Sequence, residues 1–144
     1  MKLFTIGFTK TSAESFFTRL TQASVKRLID VRLNNTSQLS GFAKRDDLEY
    51  FLREIAAIPY EHRLELAPTS ELLAGYRGRS VPWTTYEEGF LQLMRKRSIE
   101  ETSRAAEMDA ACLLCSEDKP TRCHRRLVAE YLGTAWGGVE IVHL

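Results

Sequence analysis

Cys123 stands between Arg122 and the run His124-Arg125-Arg126, and Leu127, Val128, Tyr131 and Leu132 follow at helical spacing. The pattern predicts a helix opening at about Cys123. A thiol at a helix N-terminus, flanked by guanidinium groups, has its thiolate stabilised by the helix dipole and by the cations. That environment suits a nucleophilic or redox thiol with a lowered pKa. The same position suits a small apolar residue, because Cys123 shares a helix face with Leu127. Cys115 lies eight positions earlier and could serve as a resolving partner. His124, Glu117 and Asp30 are the candidates for acid–base work. Arg32, Arg122 and Arg125 are the candidates for holding an anion, together with the helix N–H groups. Gly7 and Thr9, at the end of the first apolar run, are assigned to the same anion-binding edge.

Three neighbouring readings fail on chemistry or spacing. A phosphate-binding loop of the tyrosine phosphatase kind needs five residues between Cys and Arg. Six separate Cys115 from Arg122, and Glu117, Asp118 and Pro120 among them would repel a phosphate or stiffen the loop. Seven residues separate Cys115 from Cys123, wider than the usual spacing of paired zinc ligands, so no metal site and no cofactor are expected. Cys112 falls inside an apolar run and reads as plain core. The cysteine total, three, is odd and all lie within twelve positions, which argues for reduced thiols in the cytoplasm over a disulfide framework.

The elements that must position these residues alternate along the chain. Lys2–Phe8 reads as a strand. Thr11-Ser12-Ala13-Glu14 reads as a capping box opening a helix with Phe16, Phe17 and Leu20 on one side. Leu28–Val31 is a second, buried strand. Asn34–Gly41 is a polar loop. Asp46 or Asp47 is expected to cap a helix whose apolar face carries Leu48, Phe51, Leu52 and Ile55. Tyr60–Leu64 is a weak third strand, Glu71–Tyr76 a short helical piece, and Thr84 or Thr85 the start of a helix with Tyr86, Phe90, Leu93 and Met94. Glu100–Met108 supplies another turn or two. Ala110–Cys115 is the clearest strand, the helix after it is expected to stop at Gly133, and Val139–Val142 closes the chain. Alternating strands and helices give a parallel sheet. The expectation is one α/β domain over residues 1–144, a Rossmann-like three-layer sandwich with about five mostly parallel strands. In such sheets ligands bind at the carboxyl ends of the strands. Those ends are where Gly7, Thr9, Asp30, Arg32, His62, Cys115, Glu117 and Cys123 fall.

Composition narrows the function classes. At 44% hydrophobic and 27% charged the chain is globular, and a formal net charge of +1 supplies no global field for nucleic acid. Affinity for anions has to be local. The start lacks the length and cleavage site of a signal peptide, and no apolar run reaches a transmembrane length, so no membrane partner is expected.

In order and at matching separations, Thr5–Thr9, Leu28–Arg32, Ser37–Phe42, Leu114–Glu117 and Cys123–Arg126 resemble the domain of unknown function family 488, small bacterial and archaeal proteins. Leu66–Thr69 with Trp83 and Tyr86 resembles one subgroup. The resemblance covers nearly the whole chain and is most specific in Cys-x-Glu followed by Cys-His-Arg. It implies a compact cytosolic domain. It marks Gly7, Asp30, Arg32, Cys115, Glu117, Cys123, His124 and Arg125, and it brings no activity with it.

The leading expectation is an enzyme acting on an anionic, phosphate- or nucleotide-like small molecule. One rival is a nucleic-acid-binding module using Arg77, Arg79, Trp83, Arg122, Arg125 and Arg126. The other is a regulatory protein that uses the crevice only for docking.

Overall fold

A computed structural model describes residues 1–36 and 40–144. Ser37, Gln38 and Leu39, inside the expected polar loop and the Ser37–Phe42 segment, lie outside the described residues. Five strands form one parallel sheet: β1 (Lys2–Ile6), β2 (Arg27–Asp30), β3 (Tyr60–His62), β4 (Ala111–Leu114) and β5 (Glu140–His143), in the order β3-β2-β4-β1-β5. β4 is therefore central, with Ile6 of β1 and Asp30 of β2 both level with Leu114. Whatever leaves the end of β4 emerges between the ends of β1 and β2.

Alternation along the strands builds two cores. Leu3, Ile29, Val31, Leu113 and Cys115 face one side. They pack under α3 (Ser70–Arg77), α4 (Trp83–Arg97), α5 (Ile99–Thr102), α6 (Ala105–Met108) and α7 (His124–Trp136). Phe4, Ile6, Leu28, Cys112 and Leu114 face the other side, under α1 (Ala13–Gln22) and α2 (Arg45–Phe51). Period-two alternation on strands buried on both faces is what a parallel sheet between helical layers requires. The chain is a three-layer, Rossmann-like α/β sandwich.

Local boundaries depart from the sequence reading where a competing group wins. Ser12, not Thr11, caps α1, its hydroxyl accepting from the Ser15 N–H, while the Thr11 hydroxyl donates to the Thr9 carbonyl. Asp46 and Asp47 sit in the first turn of α2 and favour its dipole without capping it. After Phe51 the chain widens into a π-helical turn, Leu52–Ala56, closed by Ala57 in the left-handed region. The wider turn rotates Ile55 away from the core face, and it is 58% exposed. α4 begins at Trp83 after Pro82, ahead of Thr84 and Thr85. Gly133 does not stop α7, which runs to Trp136. Gly133 packs beside the Ile141 and Val139 side chains, at distances where a Cβ would also fit.

Candidate functional site

The central strand delivers the chemistry. Cys115 follows β4 directly, its N–H bonded to the Ile6 carbonyl. The chain then crosses the end of β1, where the Ser116 carbonyl accepts from the Phe8 and Thr9 N–H groups. It returns so that Cys123, in extended backbone, precedes the first residue of α7, His124. The reversal stacks three reactive side chains. Cys115 Sγ lies 3.6 Å from His124 Nδ1, and the sulfur atoms of Cys115 and Cys123 and the imidazole nitrogen all fall within 4.8 Å of one another. All three residues are buried.

The imidazole has a defined tautomer. His124 Nε2 is 2.6 Å from the Val31 carbonyl oxygen, which can only accept, so the ring proton sits on Nε2 and the Nδ1 lone pair faces the sulfurs. Burial lowers the His124 pKa, which keeps the ring neutral. The thiols diverge from expectation. Cys123 was expected to be the acidic one. Instead its S–H donates to Cys115, and together with burial this raises its pKa well above the ordinary thiol value. Cys115 moves down, because it accepts from Cys123, although burial alone would raise it. The Ser116 N–H and the nearby Arg125 charge add to the lowering. The helix terminus is real, but a sulfur that donates to another sulfur cannot profit from it. Cys112 lies on the opposite face of the sheet, and burial raises its pKa.

Asp30 and Arg32 form the second component. Asp30 is fully buried and its carboxylate accepts five hydrogen bonds: the N–H, Nε and Nη2 of Arg32, Asn35 Nδ2, and Tyr60 Oη at 2.6 Å. Burial alone would raise its pKa, but the Arg32 and Tyr60 hydrogen bonds and the Arg32 charge outweigh it and lower it. Asp30 is thus saturated as an acceptor and does not line the cavity. It locks Arg32, whose guanidinium is 2% exposed and lies 5.2 Å from the Phe8 ring centre. Among the described residues, Arg32 Nη1 has no hydrogen-bond partner. His62 Nε2 donates to the Arg32 carbonyl at 2.7 Å, fixing the backbone on the far side.

Arg32, Cys115, Cys123 and His124 share one cavity of about 50 Å³, walled also by Tyr76, Trp83, Tyr86, Arg77, Glu117 and Arg122. That volume takes a few waters or the head of a small anion. Tyr76, Trp83, Tyr86 and Phe90 form a continuous aromatic series ending 5.4 Å from the His124 ring. Tyr86 is buried as a core residue and also lines the cavity. Arg122 is exposed at the rim and has no ion-pair partner among the described residues.

Other expected site residues lie elsewhere. Arg125, expected at the anion, is buried 1% exposed and faces inward: Nε donates to Thr5 Oγ1 and Nη1 to the Glu117 carbonyl. It braces the loop after β4 against β1. Gly7 makes that seam possible, since a Cβ there would collide with the Glu117 backbone oxygen. Thr9 meets the same loop through its N–H. Glu117 reaches the cavity at its rim, exposed to water. Arg126, proposed for a basic face, is paired with Glu87 and Glu130. Of the residues the sequence did not single out, Tyr60 and Asn35 matter most, as supports of the Asp30 carboxylate. Nothing in their spacing marks them.

Among the described residues, Cys115, Cys123 and His124 form a cluster that could hold a metal. The reason given against one, their separation in sequence, is removed by the reversal of the 115–123 loop. No curated protein and no solved structure matches the chain. A family model described as "Domain of unknown function DUF488" matches residues 12–132, which include every residue of the cavity wall named above. The chain therefore belongs to the DUF488 family.

Proposed function

We propose that the protein is an enzyme acting on a small anionic ligand, phosphate- or carboxylate-headed, in the cavity at the carboxyl ends of β2 and β4. The observation that carries this reading is Arg32. A guanidinium buried this deeply, held by a carboxylate on one side and unpartnered at Nη1 among the described residues, has a donor left for an acceptor. Buried donors of this kind in native proteins call for an explanation, and a ligand oxygen is the one that the neighbouring cavity offers. Arg122 at the rim adds a second, exposed cation. The cavity admits only the head of a ligand, so a base or other flat group would lie against Trp83 and Tyr76 at the mouth.

The reacting centre is the thiol–imidazole cluster on the same cavity. Docking alone would not need two thiols and a neutral imidazole in contact beneath an arginine. Asp30 positions Arg32, Arg125 positions the loop that carries Cys115, and neither touches the ligand.

A panel of phosphate monoesters, nucleotides and small carboxylates, screened by calorimetry and then for turnover, tests the reading. At least one member should bind, and Arg122→Ala should weaken it without changing stability. Arg32→Lys should weaken it by about 10- to 100-fold, the loss of a charge-assisted hydrogen bond. Cys115→Ser should keep binding and lose turnover. A panel without a binder, or binding indifferent to both arginines, overturns the proposal.

A further inference from the structure

We propose that Cys115, Cys123 and His124 are the protein ligands of a zinc-class divalent ion, with a fourth coordination position open to the cavity. The inference takes the cavity as the ligand site, as above, and assigns the cluster beneath it a specific chemistry.

Geometry is the first argument. Zinc lies about 2.3 Å from a thiolate sulfur and about 2.0–2.1 Å from an imidazole nitrogen, with tetrahedral angles. Those values place sulfur and nitrogen about 3.6 Å apart across the metal. Cys115 Sγ and His124 Nδ1 are 3.6 Å apart, longer than a good hydrogen bond and equal to that ligand–ligand edge. The third donor, Cys123 Sγ, lies within 4.8 Å of both, so a small rotation closes the triangle.

Orientation is the second. A metal-binding histidine nearly always gives its other ring N–H to a carbonyl or carboxylate, which fixes the tautomer and aims the free nitrogen. His124 does this through Nε2 and the Val31 carbonyl, on rigid backbone where β2 leaves the sheet. The Nδ1 lone pair is left pointing at both sulfurs.

Access and charge complete it. Each of the three residues lines the cavity, as Arg32 does, so a ligand in the cavity that approaches Arg32 also approaches the cluster. Two thiolates, one imidazole and an open place describe the catalytic class of zinc site, as distinct from a closed structural one. Two thiolates cancel a divalent charge, so the net positive charge facing an incoming anion is that of Arg32, and the ion would offer it an open coordination position. Thiolate and imidazole donors select zinc or another borderline-soft ion over magnesium or calcium. Loading releases the thiol protons to solvent and involves no change of oxidation state.

The test uses the full chain, reduced, stripped with chelator and titrated with cobalt(II) and zinc(II). One equivalent of cobalt should bind, with sulfur-to-cobalt charge-transfer absorption and the intense visible bands of a tetrahedral site, and zinc should displace it. X-ray absorption of the zinc-loaded wild type should show two sulfur neighbours and at least one nitrogen. Cys115→Ser, Cys123→Ser and His124→Ala should each weaken binding by at least 10-fold, and Cys112→Ala should not. Absence of stoichiometric binding, or an ion with only oxygen and nitrogen neighbours, overturns the proposal, and the spectra do so even if a variant fails to fold. Phosphate binding to the chelated protein is measured alongside. Anion binding without metal binding sinks the metal site alone, and metal binding without any anion affinity sinks the anionic-ligand reading alone.

Discussion

Asp30 shows how much of the site is spent on holding one side chain still. Its carboxylate meets Arg32 and Asn35 out of water and Tyr60 in a partly buried contact. Breaking a buried pair by removing one partner costs about 3–5 kcal/mol, because the other charge is stranded. Asp30→Asn should therefore lower the stability by about 3 kcal/mol, read from the urea midpoint; a loss under about 1 kcal/mol would mean that Arg32 finds other partners. The pH dependence follows from the lowered pKa. The carboxylate's contribution is fully present above its unfolded value, about 3.9, and is lost as pH falls through the lower folded value. The gap between wild type and Asp30→Asn should thus be constant near neutrality and shrink below about pH 4. Gly7 is the other decisive residue, for steric reasons. Gly7→Ala pushes a methyl group into the Glu117 carbonyl, so the loop carrying Cys115 has to move. Overpacking of this kind costs about 1–3 kcal/mol or more, and the same variant should lose ligand affinity, which calorimetry would show.

Among the elements, the register of helix starts decides which polar residues matter. The α1 cap is Ser12, so Ser12→Ala should cost about 1 kcal/mol in thermal or urea unfolding. Thr11→Ala should stay within about 0.5 kcal/mol, the range of ordinary surface changes. Equal losses at both positions would contradict the observed cap. The basic end of α4 has two uses. Arg95, Lys96 and Arg97 oppose the negative end of its dipole. Arg97 also donates to the Leu64, Glu65 and Ala67 carbonyls, holding the turn that leads into the cavity wall at Pro68. The π-helical turn after α2 is a third case, in which an insertion-like widening changes the face on which Ile55 sits.

In the whole molecule, binding of the proposed ligand in the cavity would be thermodynamically linked to the stability of the fold. A ligand present at 100 times its Kd stabilises the native state by about 2.7 kcal/mol. For a chain of this size that is a rise in Tm of roughly 5–11 °C, which differential scanning fluorimetry resolves. Arg32→Lys, with the 10- to 100-fold weaker binding expected above, should cut the rise by about half or more, while Arg126→Ala, whose guanidinium is already paired with glutamates away from the cavity, should leave it unchanged. The sequence by itself determined the alternation of strands and helices, the apolar faces, the end of β4 within a residue of Cys115 and the helix opening just after Cys123, because each follows from local periodicity and capping chemistry. From those, the parallel sheet and the edge that carries the reactive residues were legible. Strand order was not, and strand order sets β4 between β1 and β2, which decides that Cys115 meets His124 and faces Arg32. Nor could sequence tell that Arg125 turns inward while Arg32 keeps a free donor, since both are arginines beside a strand end. That difference comes from what lies across the sheet: Thr5 and a carbonyl for Arg125, a carboxylate and a cavity for Arg32. The acidity of the two thiols was decided the same way, by a contact between residues eight apart that only the reversal of the intervening loop creates.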